Sequence, residues 1–245
     1  MRDETLFISD LHLTAARPET VARFLTFASQ RASQSASLVI LGDLFDVYLG
    51  DDDLSSPFRE VRDHLRQLTH QGVSISLQHG NRDFLIGTDF ERATGVRLLA
   101  DEEVLNLHGE DTLVTHGDLL CTDDQGYQIA RTRVRAPEWK ARALGKPLWM
   151  RRLYARWYRY KSGIDKGGKT PEIMDANPDA ILDMAERHGV KRLIHGHTHR
   201  PGVHQHQTVS GNLERLVLPE WDGREWVLVM NTQGWHRETP EGEFL

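Results

Sequence analysis

Five apolar runs in this chain each close on a short turn carrying acids, amides or imidazoles. They are "FISDLHL" (7–13), "VILGDLFD" (39–46), "SLQHGNRD" (76–83), "LVTHGD" (113–118) and "LIHGHTH" (193–199). Few folds accommodate that pattern. In an open α/β sheet, parallel strands deliver their ligand-binding groups beyond their carboxyl ends. The repeated cluster therefore predicts an α/β fold in which five strand ends meet. In the last cluster His195, His197 and His199 occupy alternate positions. An extended segment would turn all three to one side.

The intervening segments support that reading. "TLFIS" (5–9), "SLVILG" (37–42) and "VSISLQHG" (73–80) read as buried strands, and 18–32 and 57–72 carry helical periodicity. Residues 102–117 predict a hairpin turning at Gly109-Glu110-Asp111. A long helical stretch, about 125–188, is broken by the Gly-rich "SGIDKGGKTP", and strands follow in "KRLIHG", "RLVLPEW" and "WVLVMN". The chain reads as one α/β domain over 1–245 with a helical insertion at about 125–175.

Each cluster has an ordinary explanation of its own. Asp10 could cap a helix, Asp43 sit in a turn, Asn81 take a left-handed turn, and His116 be a satisfied core histidine. Five such coincidences at five strand ends are harder to accept than one shared site. Carboxylates, an amide and imidazoles form a mixed oxygen and nitrogen set suited to Mn²⁺, Fe²⁺ or Zn²⁺. Cys121 is the single cysteine. It excludes an internal disulfide, fits a reducing compartment and leaves no thiolate set for a structural zinc site. The N-terminus "MRDETLFISD" is acidic and enters a strand at once, so no signal peptide is expected. No apolar run approaches the ~20 residues of a membrane-spanning helix. A cytoplasmic protein is the expectation.

Asp-x-His, Gly-Asp-x-x-Asp, Gly-Asn-Arg-Asp, His-Gly-Asp and Gly-His-x-His, in that order, resemble the calcineurin-like metallophosphoesterase superfamily. The resemblance implies a β-sandwich flanked by helices. It also implies one metal on Asp10, His12, Asp43 and His199 and a second on Asp43, Asn81, His116 and His197, with Asp43 bridging. Two ions so placed activate a water for in-line attack on phosphorus. His195 falls outside both sets and reads as a packing residue. Many superfamily members carry histidine where this chain has Arg82, which cannot donate a proton at neutral pH but can clamp a phosphate bidentately. A salt bridge to Asp83 is the competing reading of Arg82.

Longer stretches, "LGDLFDVYLGDDD", "HGNRDFLIG", "HGDLLCTDDQGYQ", "IMDANP" and "LIHGHTHRP", resemble the UDP-2,3-diacylglucosamine hydrolase family of the lipid A pathway. That resemblance implies a Mn²⁺-dependent pyrophosphatase producing UMP and 2,3-diacylglucosamine 1-phosphate. It implies substrate contacts from Asn81, Arg82, Asp124, Ser162, Lys169 and His197, with Lys166 at a further contact position. The alternatives are a nucleotide pyrophosphatase or phosphodiesterase acting on a soluble substrate, and an inactive scaffold binding membranes or nucleic acid.

The insertion carries its own signal. Residues 131–169 hold thirteen Lys and Arg against Glu138 and Asp165, so this segment is +11 in a chain of net charge −6. The remainder, at −17, would repel a nucleic-acid backbone. Met150, Leu153, Tyr154, Trp157 and Tyr158 follow the spacing of one helix face, with Arg152, Arg156 and Arg159 away from its centre. Such a helix could simply pack on the sheet. The favoured expectation is a cap whose apolar side chains wall an acyl chamber while arginines face anionic headgroups. A monomer held peripherally at the cytoplasmic face of the inner membrane would then reach a lipid-linked nucleotide sugar.

Overall fold

The computed structural model describes residues 3–166, 175–209 and 211–245, and over 158–166 the backbone alone. Strand β1 (Thr5–Ile8) is buried at all four positions. Because alternate side chains leave a strand on opposite faces, this requires cover on both sides. Strands β2 (Ser37–Leu41) and β3 (Ser74–Gln78) run parallel to it, with Phe7 opposite Val39 and Ile40 opposite Leu77. Leu6, Ile8, Leu38, Ile40, Ile75 and Leu77 pack outward on helices α1 (Pro18–Gln30), α2 (Phe58–His70) and α3 (Thr88–Thr94), through Phe24, Phe27, Val61, Leu65 and Phe90. Phe7, Val39 and Leu41 face the other way, into a core shared with Val114, Ile194 and Leu216 of a second sheet. Burial on both faces is why β1 and β2 read as nearly unbroken apolar runs.

The remaining elements complete two layers. They are β4 (Arg97–Leu98), β5 (Glu102–Leu107), β6 (Glu110–Thr115), α4 (Gln125–Arg135), α5 (Pro137–Leu144), α6 (Leu148–Lys166), α7 (Pro178–His188), β7 (Arg192–His195), β8 (Gly202–Thr208), β9 (Gly211–Val217), β10 (Val227–Asn231) and β11 (Gly234–Glu238). The first sheet has the order β11-β10-β1-β2-β3-β4 and the second β5-β6-β7-β9-β8. Helix α7 covers the outer face of the second sheet, setting Ile181, Met184 and Ala185 on Leu113, Leu193 and Leu213. The architecture is a β-sandwich between helices.

Several details depart from expectation. The hairpin turns at His108-Gly109 and not at Gly109–Asp111, since Leu107 pairs with Glu110 and both turn residues have positive φ, 53° and 92°. That is the backbone a two-residue hairpin loop demands. Elements α3, β4, β8 and β11 were not expected. Helix α6 continues through Lys166, so Ser162 and Lys166 lie on its last turns and not in a Gly-rich loop.

The cap helices α4 and α5 bury no residue fully. Ion pairs tether them instead: Arg131 to Asp118 and Asp101, and Arg135 to Asp101. Trp139 adds an aromatic contact to Phe84 at 6.0 Å. Arg151 of α6 is buried and grips Asp52 bidentately, while Arg152 donates to Asp53 Oδ1 at 2.9 Å. Arg152, half-exposed, thus also tethers the helix to the sandwich. Helix α6 does not lay its apolar face on a sheet: Trp149, Leu153, Tyr154 and Trp157 are 66%, 63%, 55% and 55% exposed. The side chains of Tyr158 and Arg159 lie outside the described set. No helix among the described residues is long and apolar enough to cross a membrane.

Candidate metal centre

The segments beyond β1 and β2 stay paired after the strands end. Asp10 N–H donates to Gly42 O at 3.1 Å, His12 N–H to Asp43 O at 2.9 Å and Leu13 N–H to Leu44 O at 2.9 Å. This pairing holds Asp10, His12 and Asp43 side by side at positive φ, 54°, 48° and 51°. His197 and His199, beyond β7, share that conformation at 65° and 53°. Non-glycine residues rarely occupy this region, and they do so where surrounding structure overrides local preference, often at functional sites. Glycine is required where the ends abut. A Cβ on Gly196 would lie 2.1 Å from Ser9 Oγ and 2.3 Å from Asp10 Oδ2.

The side chains converge with their lone pairs inward. Asp10 Oδ2 accepts from Ser9 Oγ at 2.6 Å and from His197 N–H at 2.8 Å. Its Oδ1 is left 3.3 Å from His199 Nε2 and 3.9 Å from His12 Nε2. Asp43 Oδ1 accepts from Arg82 N–H at 2.8 Å, and its Oδ2 lies 3.8 Å from His12 Nδ1 and 3.9 Å from His116 Nε2. His116 Nδ1 sits 2.8 Å from Leu41 O. A carbonyl can only accept, so that nitrogen carries the proton and Nε2 presents a lone pair. Nε2 faces the Asn81 Oδ1 acceptor at 3.3 Å and His197 Nδ1 at 3.2 Å.

Oxygen and nitrogen atoms gathered at such distances suit a cation shared among them. Ligand atoms about 3 to 4 Å apart match the edges of a polyhedron around an ion bound at about 2.1 Å. Asp10, His12 and His199 form one such group, and Asp10, Asp43 and His116 a second. His12 Nδ1 is buried without a hydrogen-bond partner, as expected of a nitrogen reserved for a metal. Burial pushes His12 and His197 down to about 4, which keeps both imidazoles in the neutral, ligating form. Burial pushes Asp43 up to about 8, against the pull of His116 and with help from Asp83 and Asp10. Burial opposes it, but Asp43, Asp10 and Asp118 raise the His116 pKa. The residues present fit a pair of divalent cations.

Residues 4–201 match the sequence model of the family described as Calcineurin-like phosphoesterase. The chain belongs to that family. It is 45% identical over 217 residues to a protein of Klebsiella pneumoniae subsp. pneumoniae named UDP-2,3-diacylglucosamine hydrolase, covering 89% of this chain and 90% of that one. A protein of the same name from Cellvibrio japonicus is 43% identical over 231 residues, 94% of this chain and 96% of the relative.

Around this phosphoesterase site stand residues that the motifs alone did not assign. Asp83 accepts from Gly80 N–H and Leu44 N–H at 2.8 Å each, and so staples the ends of β2 and β3 together. This removes it as a partner for Arg82, whose Nη1 lies 3.6 Å from Asp46 Oδ1. Glu220 pairs with His199 Nδ1, the carboxylate–histidine pairing that orients metal ligands. Its segment is pinned by the buried Trp221, which packs on Phe24 and Phe27 and donates its backbone N–H to Asp10 O at 3.1 Å. The motif "RLVLPEW" was the available signal for it. Asp118 is buried beneath the site and accepts from Tyr127 Oη at 2.6 Å and Arg131 Nε at 2.7 Å. Tyr127 in turn stacks beside His197, ring centres 6.2 Å apart. Asp124 caps α4 by accepting from Tyr127 N–H at 3.0 Å. The side chains of Ser162 and Lys166, and all of Lys169, lie outside the described residues.

Proposed function

We propose that this protein hydrolyses the pyrophosphate bond of UDP-2,3-diacylglucosamine at the phosphorus next to uridine, releasing UMP and 2,3-diacylglucosamine 1-phosphate, with two Mn²⁺ ions. The convergence of candidate ligand atoms on Asp10, Asp43 and four imidazoles carries this reading. The name shared by relatives 43–45% identical over most of their length supplies the substrate. Asp10, His12, Asp43 and His199 would hold one ion, and Asp43, Asn81, His116 and His197 the other. Such a pair supplies Lewis acidity and an activated water.

The chain's own residues do the rest. Arg82, its backbone N–H fixed on Asp43, directs its guanidinium toward the diphosphate, where a planar fork suits two phosphoryl oxygens. It has no proton to give, which suits a leaving group that is itself a phosphate. Asp124, Ser162, Lys166 and Lys169 would contact the uridine and sugar-phosphate portions. The exposed apolar face of α6 would shelter acyl chains, on a single domain with its insertion at about 125–175. A monomer of this kind would sit peripherally at the cytoplasmic face of the inner membrane, without nucleic acid as partner.

The deciding experiment is product analysis by mass spectrometry in H₂¹⁸O. The expected result is ¹⁸O in UMP only, and no turnover of UDP-sugars lacking acyl chains. Label in the sugar phosphate, or a preference for the non-acylated sugar, would sink the proposal. Reactivation of chelator-stripped protein by Mn²⁺ in preference to Mg²⁺ or Zn²⁺ tests the metal.

A further inference from the structure

His197 stands at the centre of an unusual turn. Thr198 N–H donates to Gly196 O at 2.8 Å while His197 has φ 65°. A three-residue turn with a positive-φ centre is the rare, strained form of the γ-turn, and here the centre is a bulky imidazole. The turn needs bracing. One brace is His197 N–H donating to Asp10 Oδ2 at 2.8 Å.

A second brace comes from outside the metal-binding set. His195 Nδ1 lies 2.8 Å from the same Gly196 carbonyl. Because that oxygen can only accept, Nδ1 bears the proton and Nε2 the lone pair. Arg215 Nη1 donates to this Nε2 at 3.2 Å, and Arg215 Nε donates to His206 Nε2 at 3.1 Å. His195 is fully buried and Arg215 is 9% exposed. Among the described residues no carboxylate pairs directly with Arg215. Burial lowers its pKa, with Asp175 alone acting against that fall. A buried guanidinium is ordinarily matched with a carboxylate; this one spends its donors on two neutral imidazoles. Packing leaves little slack, since a Cβ on Gly117 would lie 2.8 Å from both His195 Nδ1 and Gly196 O.

We infer that Arg215 is a positioning residue for the metal centre: it holds His195 in the Nδ1–H tautomer, His195 braces the Gly196 carbonyl, and the braced turn presents His197. A guanidinium suits the task because it donates from two directions at once and never accepts. This inference rests on the two-metal reading above.

The test pairs a metal titration with a tautomer measurement. Chelator-stripped protein is titrated with Mn²⁺ by calorimetry, and the imidazole of His195 is observed by ¹⁵N–¹H NMR correlation. The wild type should take up two ions and show His195 protonated at Nδ1. Arg215→Met should weaken Mn²⁺ uptake about 10- to 100-fold, as loss of a ligand-orienting partner does, and shift His195 toward the Nε2–H form. Its kcat should fall at limiting Mn²⁺ and recover in excess, with KM unchanged. Arg215→Lys, able to serve one imidazole, should fall between. A folded Arg215→Met with wild-type Mn²⁺ affinity overturns the inference, even if its Tm drops. So does a wild-type His195 that carries its proton on Nε2, a result that needs no variant. A wild type that binds no Mn²⁺ overturns the two-metal reading itself, so the two failures are distinguishable.

Discussion

Gly80→Ala adds one methyl group at the place where β2 and β3 deliver their polar ends to a common point. The new Cβ would lie 2.0 Å from Asp43 Oδ1 and 2.2 Å from Asp43 N, against about 3.5 Å for a comfortable non-bonded contact. Retreat is blocked on the Gly80 side. Its N–H donates to Asp83 Oδ1 at 2.8 Å and its carbonyl accepts from Arg135 Nη2 at 3.0 Å. Asp43 must therefore move by about 1.5 Å, several times the ~0.2 Å tolerance of a metal–ligand distance. Overpacking of this kind costs about 1–3 kcal/mol, and a domain stable by about 5–15 kcal/mol remains folded. The expected outcome is a folded protein with metal uptake weakened at least ~100-fold, since the ligand itself is displaced and not merely its support. Calorimetric Mn²⁺ titration of stripped protein, beside a thermal melt, measures both quantities. Gly126→Ala serves as control. That glycine lies in α4 with its nearest neighbour 3.7 Å from the added methyl, so metal uptake should stay unchanged and stability rise by about 0.5–1 kcal/mol. Wild-type Mn²⁺ uptake by folded Gly80→Ala would refute the close abutment of the two strand ends.

Three further outcomes follow from the site and the cap. Asp43→Ala should lose activity most completely and resist rescue, whereas His12→Ala should recover in part with excess Mn²⁺; rescue of both to one level, in turnover assays across a Mn²⁺ series, would end the bridging role of Asp43. Arg82→Lys keeps the charge but loses the planar fork, so kcat/KM should fall about 10- to 100-fold with metal content preserved; unchanged kinetics would reduce Arg82 to its pairing with Asp46. Trp157→Asp should lower liposome association and the preference for acylated substrate, while Arg152→Glu, which breaks the tether to Asp53, should loosen the cap and lower its protease resistance; if neither property moves, α6 has no part in lipid recognition.

How far a bare sequence reaches into this protein depends on the range of the interactions involved. β1 and β2 were legible because both of their faces are buried, which leaves an unbroken apolar run, β3 because its apolar residues alternate with polar ones, and α1 and α2 because one face of each is buried, which leaves a helical repeat. Those are patterns between residues two to four apart. The edge strand β8, "GVHQHQT", escaped the same reading because it is mostly exposed and exists through its pairing with β9. The apolar stripe of α6 was visible, but periodicity records only that a stripe exists, not whether it meets a sheet or solvent. The donor types were likewise written in the motifs, down to the spacing of Asp10, His12, His197 and His199.

Their arrangement was not. Asp10 meets His197 and His199 across nearly the whole chain, and Asp83, Glu220 and Arg215 act on residues that no local pattern associates with them. The positive φ angles of Asp10, His12, Asp43, His197 and His199 run against local preference. They hold because segments 10–13 and 42–45 pair beyond their strands and because the Gly196 turn is braced from beneath. Short-range periodicity selects strands and helices, so it was enough to announce which elements form and where their chemistry lies. Strain, tautomer and ligand geometry arise only when distant segments close on one another, and they had to wait for the folded chain.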